Sequence, residues 1–215
     1  MIRRVLFLVP LLCVGVSGLA GAQEVPSLDA LQSRYNNLGG LRAAFTQVTR
    51  SEFADDSTRI EGRVLLAGNR YRVETPSQTV VTNGTTTWIY SPADSQVVVN
   101  DAEANNSTVT PQTFLTASAE KYDVASTRTV RRDGVAHHAL SLTEADGSAR
   151  FKEAVLWVRR SDRVVTRLRA TDRNGSVLEL RLDDIEVDPS IGSRSFTFSA
   201  PDGVEVVDLR ANASE

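Results

Sequence analysis

The sequence is nearly free of cysteine. Its single cysteine, Cys13, lies in the apolar run near the N-terminus, and it is preceded by Leu11 and Leu12 instead of the small residue that a lipid-attachment site requires. Acylation at Cys13 is therefore not expected. Once the N-terminal leader is removed, the chain has no thiol, which excludes disulfide bonds, thiol nucleophiles and cysteine metal sites.

Long hydrophobic runs are also scarce. The longest covers residues 5–16, follows Arg3 and Arg4, and precedes Ala20 and Ala22. This layout is typical of a cleavable secretory signal, and the run is shorter than the roughly 20 apolar residues of a membrane span. The sequence therefore predicts a signal peptide at residues 1–22, cleavage after Ala22, and an exported domain over residues 23–215.

Positive charge is in deficit. The predicted leader contains two basic residues and no acidic one, so the mature chain has 22 basic and 27 acidic residues. Such a chain offers no electrostatic basis for binding nucleic acid. A chain of roughly 190 residues without a repeat, a low-complexity tract or an obvious linker predicts one domain, long enough to build a core or to enclose a cavity.

Histidine and catalytic motifs are scarce as well. The two histidines, His137 and His138, are adjacent, and adjacent residues of a strand point to opposite faces, so the pair cannot share a metal ion or a substrate. The acidic pairs Asp55-Asp56 and Asp183-Asp184 fall in or beside turns and are interpreted as solvated surface. No nucleophile elbow, phosphate-binding loop or zinc-binding helix motif is present. We therefore expect no enzymatic activity and no cofactor.

What the sequence does contain is a change of hydrophobic period. Between Leu28 and Leu41 the apolar residues recur at three- and four-residue spacing, and Ser27 is available as a cap, which predicts an amphipathic helix. From Ile60 onward the period is two, which is typical of half-buried strands. Turn dipeptides punctuate these runs at Asn83-Gly84, Asp133-Gly134, Asp146-Gly147, Asn174-Gly175 and Asp202-Gly203.

Strand follows strand without crossover helices between them. This order predicts a mainly β fold built on a single curled antiparallel sheet of about eleven strands, an unclosed β-barrel. Thr110 and Pro111 have the chemistry of a helix start and predict a second helix inserted into the sheet. The two helices would cover the concave apolar face. The sequence leaves open whether that face is a packed core or a partly empty cavity under a lid.

Several segments carry a resemblance to a known family. The tail places Phe196, Phe198, Pro201 and Gly203 in the pattern F-x-F-x-x-P-x-G, which predicts a strand, a turn and a short edge strand. Residues 81–92 form the hairpin pattern V-x-N-G-x-x-x-W-x-Y-x-P. Further matching segments are residues 41–47, 62–66, 69–74 and 172–175, in the expected order. Together they resemble the family of periplasmic outer-membrane lipoprotein carriers, LolA.

The resemblance implies a function as well as a fold. A member of this family is a monomeric periplasmic carrier that binds the acyl chains of lipoproteins released by an inner-membrane ABC transporter. It then transfers the lipoproteins to an outer-membrane acceptor, and catalysis plays no part. The alternative is a periplasmic module of the same fold that senses lipids or lipoproteins and delivers no cargo.

Site residues follow from the resemblance and the alternation along each strand. The predicted lid residues are Leu31, Leu38, Phe114 and Leu115, and Phe196 and Phe198 are expected to close or pad one end of the cavity. The aromatic residues would fill an ordinary core in an arbitrary β protein. Read with the resemblance, they line an acyl-chain cavity together with aliphatic residues: Val64, Leu66, Tyr71, Val73, Trp88, Tyr90, Leu178 and Leu180.

One feature of the family is missing from this chain. Members often carry an Arg-Pro pair before the aromatic strand, and the arginine latches the lid to the barrel in the ligand-free form. The corresponding segment here is Leu66-Ala67-Gly68-Asn69. Arg70 is nearby, but it is adjacent to Tyr71 and is therefore predicted to lie on the opposite face. No latch arginine is assigned.

Overall fold

The N-terminal helix forms where the three- and four-residue spacing predicts it. In the computed structural model, which describes residues 25–53, 56–102, 114–115 and 120–210, helix α1 spans Leu28–Asn36. The Ser27 hydroxyl accepts a hydrogen bond from the Ala30 N–H at 3.1 Å and so caps the first turn. The predicted signal peptide and the predicted helix start at Thr110-Pro111 lie outside the described residues.

All strands of the described chain belong to a single open sheet. Its twelve strands run in the spatial order β12-β6-β5-β4-β3-β2-β1-β11-β10-β9-β8-β7. All neighbours are antiparallel except β12, which pairs parallel to β6. The strands are β1 Leu41–Arg50, β2 Ser57–Ala67, β3 Arg70–Glu74, β4 Thr79–Thr82, β5 Thr86–Ser91, β6 Gln96–Asp101, β7 Tyr122–Arg132, β8 Val135–Glu144, β9 Phe151–Arg159, β10 Val165–Asp172, β11 Val177–Val187 and β12 Glu205–Asp208.

The turn dipeptides lie where the sequence predicts reversals. Four of them join consecutive strands, and Asp202-Gly203 precedes β12. In the β7–β8 hairpin, Asp133 and Gly134 both have positive φ, at 49° and 77°. This is the backbone of the two-residue turn that matches strand twist, and it explains why the hairpin uses an Asp-Gly pair. The mainly β, antiparallel and unclosed architecture is confirmed.

The main buried cluster lies on one face of the sheet. We define the inner face as the one that carries the main buried cluster, and the outer face as its opposite. Leu140, Leu156, Leu168 and Leu180 face one another across β8 to β11 on the inner face, and none is more than 3% exposed. Burial of each such leucine contributes about 1.5–3 kcal/mol, so this row stabilises one half of the sheet.

The C-terminal tail differs in part from its prediction. The short edge strand is present as β12, but Phe196 does not lie in a strand. It ends a 3-10 helix, Ser193–Phe196, and Phe198 follows it in irregular backbone. Two aromatic residues separated by one position fit both a strand and the observed 3-10 helix followed by irregular backbone. Packing of the tail on the sheet determines which of the two forms.

No helix in the described part of the chain has the length and apolar character needed to cross a membrane.

A glycine on β2 provides a test of strand packing. A Cβ atom added at Gly62 would contact the Glu74 carbonyl oxygen on β3 and would lie 2.8 Å from Cε1 of the Phe45 ring on β1. We expect Gly62→Ala to lower the free energy of unfolding by roughly 1–3 kcal/mol, since backbone and ring must both shift. Urea denaturation measures the change.

Gly192→Ala is the matched control. A Cβ atom at Gly192 meets no heavy atom within 4 Å, so this substitution should leave stability within about 0.5 kcal/mol of the original. Equal stability of the two variants would contradict the close approach at Gly62.

Candidate functional site on the inner face of the sheet

One end of the inner face lies under α1. Leu31 and Tyr35 point from the helix into the main buried cluster and are 0% and 2% exposed. The Tyr35 hydroxyl accepts a hydrogen bond from the backbone N–H of Val165 at 3.0 Å. Burial raises the pKa of Tyr35, so the phenol stays neutral. Helix α1 is thus held to the first residue of β10 by one buried polar contact within an apolar interface.

A second group of aromatic residues covers the other end of the inner face. The Phe114 ring lies 5.5 Å from the Tyr122 ring and 6.5 Å from the Phe151 ring, centroid to centroid. The Tyr122 hydroxyl accepts a hydrogen bond from the Phe151 N–H at 3.2 Å. Burial also raises the pKa of Tyr122. Both ends of the face therefore use a tyrosine hydroxyl to satisfy the N–H of the first residue of a strand.

Most residues of the predicted site come together. The four predicted lid residues and the predicted inner-face residues of β2, β3 and β11 belong to one buried cluster, except Val73, which is partly buried and packs against it. The register sets Val64 opposite Val73 and Leu66 opposite Tyr71, so these four side chains lie on one face of β2 and β3. Contact of these residues with acyl chains is a separate property, and it stays a prediction.

Trp88 and Tyr90 do not lie with the other predicted cavity residues. Strand β5 sets Ile89 opposite Val80 on β4, and Val80 lies opposite Val73 on the inner face. Residues adjacent to Ile89 point the other way. Both aromatic residues are therefore on the outer face, and their prediction as part of the inner surface is wrong.

The outer face of β3 to β6 has an apolar layer of its own. Val81, Val97 and Val99 are buried there without belonging to the main cluster. The tail covers this layer, with the Phe198 ring 5.6 Å from the Tyr90 ring. Phe196, 1% exposed, lies in the same tail. The expectation that Phe196 and Phe198 close an end of the inner cavity is therefore wrong, since they pad the opposite face.

Arg70 also takes part in this outer layer. Its guanidinium lies 4.9 Å from the centroid of the Phe196 ring, a cation–π contact. Its Nε donates to the Ala67 carbonyl at 3.4 Å. The predicted position of Arg70, opposite in face to Tyr71, is confirmed. Arg70 holds the tail to the sheet and does not point toward α1.

Several inner-face residues were missed in the sequence. Phe45 on β1 and Leu140 and Leu142 on β8 belong to the main cluster. The two-residue spacing of Leu140 and Leu142 was an available signal. The same two-residue spacing places His138 on the face of β8 that carries Leu140 and Leu142.

The two adjacent histidines occupy different environments. His137 lies on the outer face, where Nδ1 is 3.0 Å from the Val135 carbonyl oxygen and Nε2 is 3.0 Å from the Thr166 hydroxyl. His138 lies on the inner face opposite Val158, is 4% exposed, and neither ring nitrogen has a hydrogen-bond partner. The predicted separation of the two side chains is confirmed. In the described ranges, no group of three or more potential metal ligands occurs.

A known structure shares this fold. The structure of an uncharacterised conserved protein from Thermus thermophilus superposes with a TM-score of 0.59 at 18% identity, covering 85% of this chain and 99% of that chain. That likeness concerns the fold alone. The class of this fold, as this chain shows it, is an open, mostly antiparallel sheet with a covered apolar inner face.

Sequence comparison identifies the family within that class. The profile described as "Outer membrane lipoprotein carrier protein LolA" matches residues 36–199. An outer-membrane lipoprotein carrier protein of Aliivibrio fischeri is 30% identical over 185 residues, 84% of this chain and 89% of the relative. Its counterpart in Pseudomonas aeruginosa is 24% identical over 220 residues, 95% of this chain and 97% of the relative. The chain belongs to the LolA family of outer-membrane lipoprotein carriers.

The Tyr35 hydroxyl gives a first prediction for the site. Tyr35→Phe keeps the ring and leaves the buried Val165 N–H without its acceptor, so we expect the free energy of unfolding to fall by about 1–3 kcal/mol. Hydrogen exchange of the Val165 amide should accelerate at the same time, which urea denaturation and NMR together measure. Unchanged exchange at Val165 would contradict the proposed role of this contact in holding α1.

His138 gives a prediction of pH dependence. Burial, and after it the positive charge of Arg160, lowers the pKa of His138. Below the ordinary histidine pKa of about 6.5 the unfolded chain gains a proton that the folded chain resists, so stability falls with falling pH, by up to about 1.4 kcal/mol per pH unit. Urea denaturation between pH 7.5 and 5.5 measures this slope. His138→Leu should remove this component, and identical slopes in the two proteins would contradict it.

Proposed function

We propose that the mature protein is a periplasmic carrier that holds the acyl chains of lipoproteins on the inner face of its sheet. Membership of the LolA family, joined to a continuous apolar inner face on an open sheet, carries this proposal. The signal peptide at residues 1–22, with cleavage after Ala22, would deliver the chain to the periplasm. An inner-membrane ABC transporter would load it, and an outer-membrane acceptor would receive the cargo from the monomeric carrier.

The energetic need for such a carrier follows from the acyl chain. Each methylene group exposed to water costs about 0.8 kcal/mol, so one long chain costs on the order of 10 kcal/mol. Contacts with an apolar face need no particular orientation, so such a face can offset this free energy for acyl chains of different length. The inner face meets this requirement because its leucine and valine side chains present few polar atoms.

Access to the inner face requires movement of the segments that cover it. The buried residues of the main cluster are at most 8% exposed, so an acyl chain has no open surface to bind while α1 and the Phe114-Leu115 segment are in place. We infer that the chain replaces Leu31, Leu38, Phe114 and Leu115 against Val64, Leu66, Tyr71, Val73, Leu178 and Leu180. These covering residues act as a lid that is displaced by cargo of the same apolar character.

A charge on the inner face tests the binding surface. Val73 is half-buried at the margin of the main cluster, so Val73→Asp places a carboxylate where a chain would lie. We expect the affinity for a fluorescent acyl probe or a triacylated lipopeptide to fall at least tenfold, because an unpaired charge resists burial. Fluorescence titration of the purified mature protein measures affinity and the expected one-to-one stoichiometry.

Val135→Asp is the matched control for this experiment. Val135 begins β8 on the outer face and is 41% exposed, so the same substitution there should leave affinity unchanged. Thermal unfolding of both variants separates a loss of binding from a loss of fold. Absence of binding by the original protein, or equal loss in both folded variants, would contradict the proposed surface.

Transfer distinguishes a carrier from a sensing module of the same fold. A carrier loaded with fluorescent triacylated lipopeptide should release it to vesicles that contain outer-membrane acceptor, and retain it with plain vesicles of the same lipids. A protein that binds the lipopeptide and releases it to neither would support the sensing module instead.

A further inference from the structure

His138 and Thr87 are buried polar residues of the inner face whose side-chain polar atoms lack hydrogen-bond partners, and of the two only His138 lies on the half of the sheet beneath α1. It is 4% exposed, and both of its ring nitrogens lack a hydrogen-bond partner. A neutral imidazole has one donor and one acceptor nitrogen, and a buried polar group without a partner destabilises the fold. Leucine or phenylalanine would fill an apolar site without that cost. The adjacent His137 shows the contrast, since both of its nitrogens have partners.

The position of His138 relates it to the helix end of the inner face. His138 pairs with Val158 on β9, and Val158 pairs with Val165 on β10. Val165 is the residue whose N–H donates to Tyr35 of α1. The row His138, Val158, Val165 therefore crosses three strands and ends beneath α1, one of the segments that cargo would displace.

The residues that follow His138 continue the inner face as hydrocarbon. Leu140 and Leu142 lie on the same face of β8, at 0% and 1% exposure. Successive residues on one face of a strand are about 6.8 Å apart, so the three side chains form a path of roughly 14 Å. The path leads from the α1 end toward the Phe114, Tyr122 and Phe151 rings, with a single polar group at its start.

The local charge favours an electron-rich ligand atom at this group. The Arg160 backbone N–H donates to the carbonyl of Ala136, two residues before His138 on β8, at 3.0 Å. Burial, and after it the positive charge of Arg160, lowers the pKa of His138. A neutral ring in a positive potential is suited to donate its N–H to an oxygen acceptor. Every acyl chain begins with such an atom, because an ester or amide carbonyl joins it to the rest of the lipid.

We propose that His138 is a polar anchor that donates a hydrogen bond to the ester or amide carbonyl of a bound acyl chain, and so sets the direction in which the chain lies. This inference rests on the proposed carrier function. The carbonyl end lies near α1, and the hydrocarbon runs along Leu140 and Leu142 toward the aromatic end. Cargo of this class is distinguished from plain hydrocarbon by one hydrogen bond.

A pair of matched probes tests the anchor. The first is a fluorescent long-chain ester, and the second is the ether of equal chain length, which replaces the carbonyl by a methylene group. A hydrogen bond of ordinary strength predicts that the original protein binds the ester about fivefold more tightly than the ether. His138→Leu should bind the ester no more tightly than the ether, with ether affinity unchanged, while His137→Leu should keep the preference.

Stability separates the anchor from a structural role. His138→Leu removes an unsatisfied polar group, so its melting temperature at neutral pH should equal or exceed that of the original protein even as the ester preference disappears. His138→Gln, which retains an N–H donor, should keep part of the preference. Equal affinity of the original protein for the two probes, or an ester preference that survives His138→Leu, would overturn the anchor while leaving the carrier function intact. Binding of neither probe would overturn the carrier proposal itself.

A spectroscopic readout keeps the proposal testable should a variant fail to fold. An ester labelled with carbon-13 at the carbonyl should show a lower infrared stretching frequency when bound to the original protein than in hydrocarbon solvent. The ring nitrogen signals of His138 should shift with the ester and stay in place with the ether. A bound carbonyl at its hydrocarbon frequency would overturn the hydrogen bond.

Discussion

The structure depends on one constraint, which is that a long sheet with an apolar face must cover that face without closing on itself. The terminal strands of the sheet, β12 and β7, are not paired to each other, so the sheet does not solve the problem by becoming a full barrel. Helix α1 covers one end and the Phe114-Leu115 segment covers the other. Each end also contains a tyrosine whose hydroxyl satisfies a backbone N–H, at Val165 and at Phe151. The cover is thus held by few polar contacts and much apolar area.

The same constraint explains why different segments of the chain cover the two faces of the sheet. The tail could not serve as an inner cover, because it already shields the outer apolar layer of β3 to β6 through Phe196 and Phe198. Its parallel strand β12 adds to β6, with the Leu209 N–H donating to the Val99 carbonyl at 2.8 Å. The tail therefore supports the sheet from its outer face. The inner face is covered instead by α1 and the Phe114-Leu115 segment.

Much of this fold could be predicted from alternation and turn chemistry, because both are local. Ser27 as a cap, the Asp-Gly and Asn-Gly turns and the inner face of β2 and β3 follow from residues a few positions apart. The placement of Trp88 and Tyr90 could not, because it depends on how β4 and β5 are phased relative to each other. Residues 80–82 are Val, Val and Thr, and all three side chains are buried. The alternation of apolar and polar residues therefore does not show which face of β4 is the inner one. Only the register of the β4–β5 hairpin assigns Ile89, and not its aromatic neighbours, to the inner face.

The covered state also bears on how a carrier can release what it binds. On the proposed function, the free energy gained when an acyl chain enters is reduced by the free energy needed to displace Leu31, Leu38, Phe114 and Leu115, since both occupy the same face. Observed affinity is then lower than the affinity of the bare face, as for any protein whose binding-competent form is a minor one. When the acyl chain leaves, these residues return to the face, and this return favours release. Transfer to an acceptor that needs no such displacement therefore lowers the free energy even if the acceptor's apolar surface is no larger. A directional hydrogen bond such as that assigned to His138 adds little to total affinity by comparison. Its effect is on orientation, because burial of hydrocarbon is non-directional and leaves the two ends of a chain equivalent.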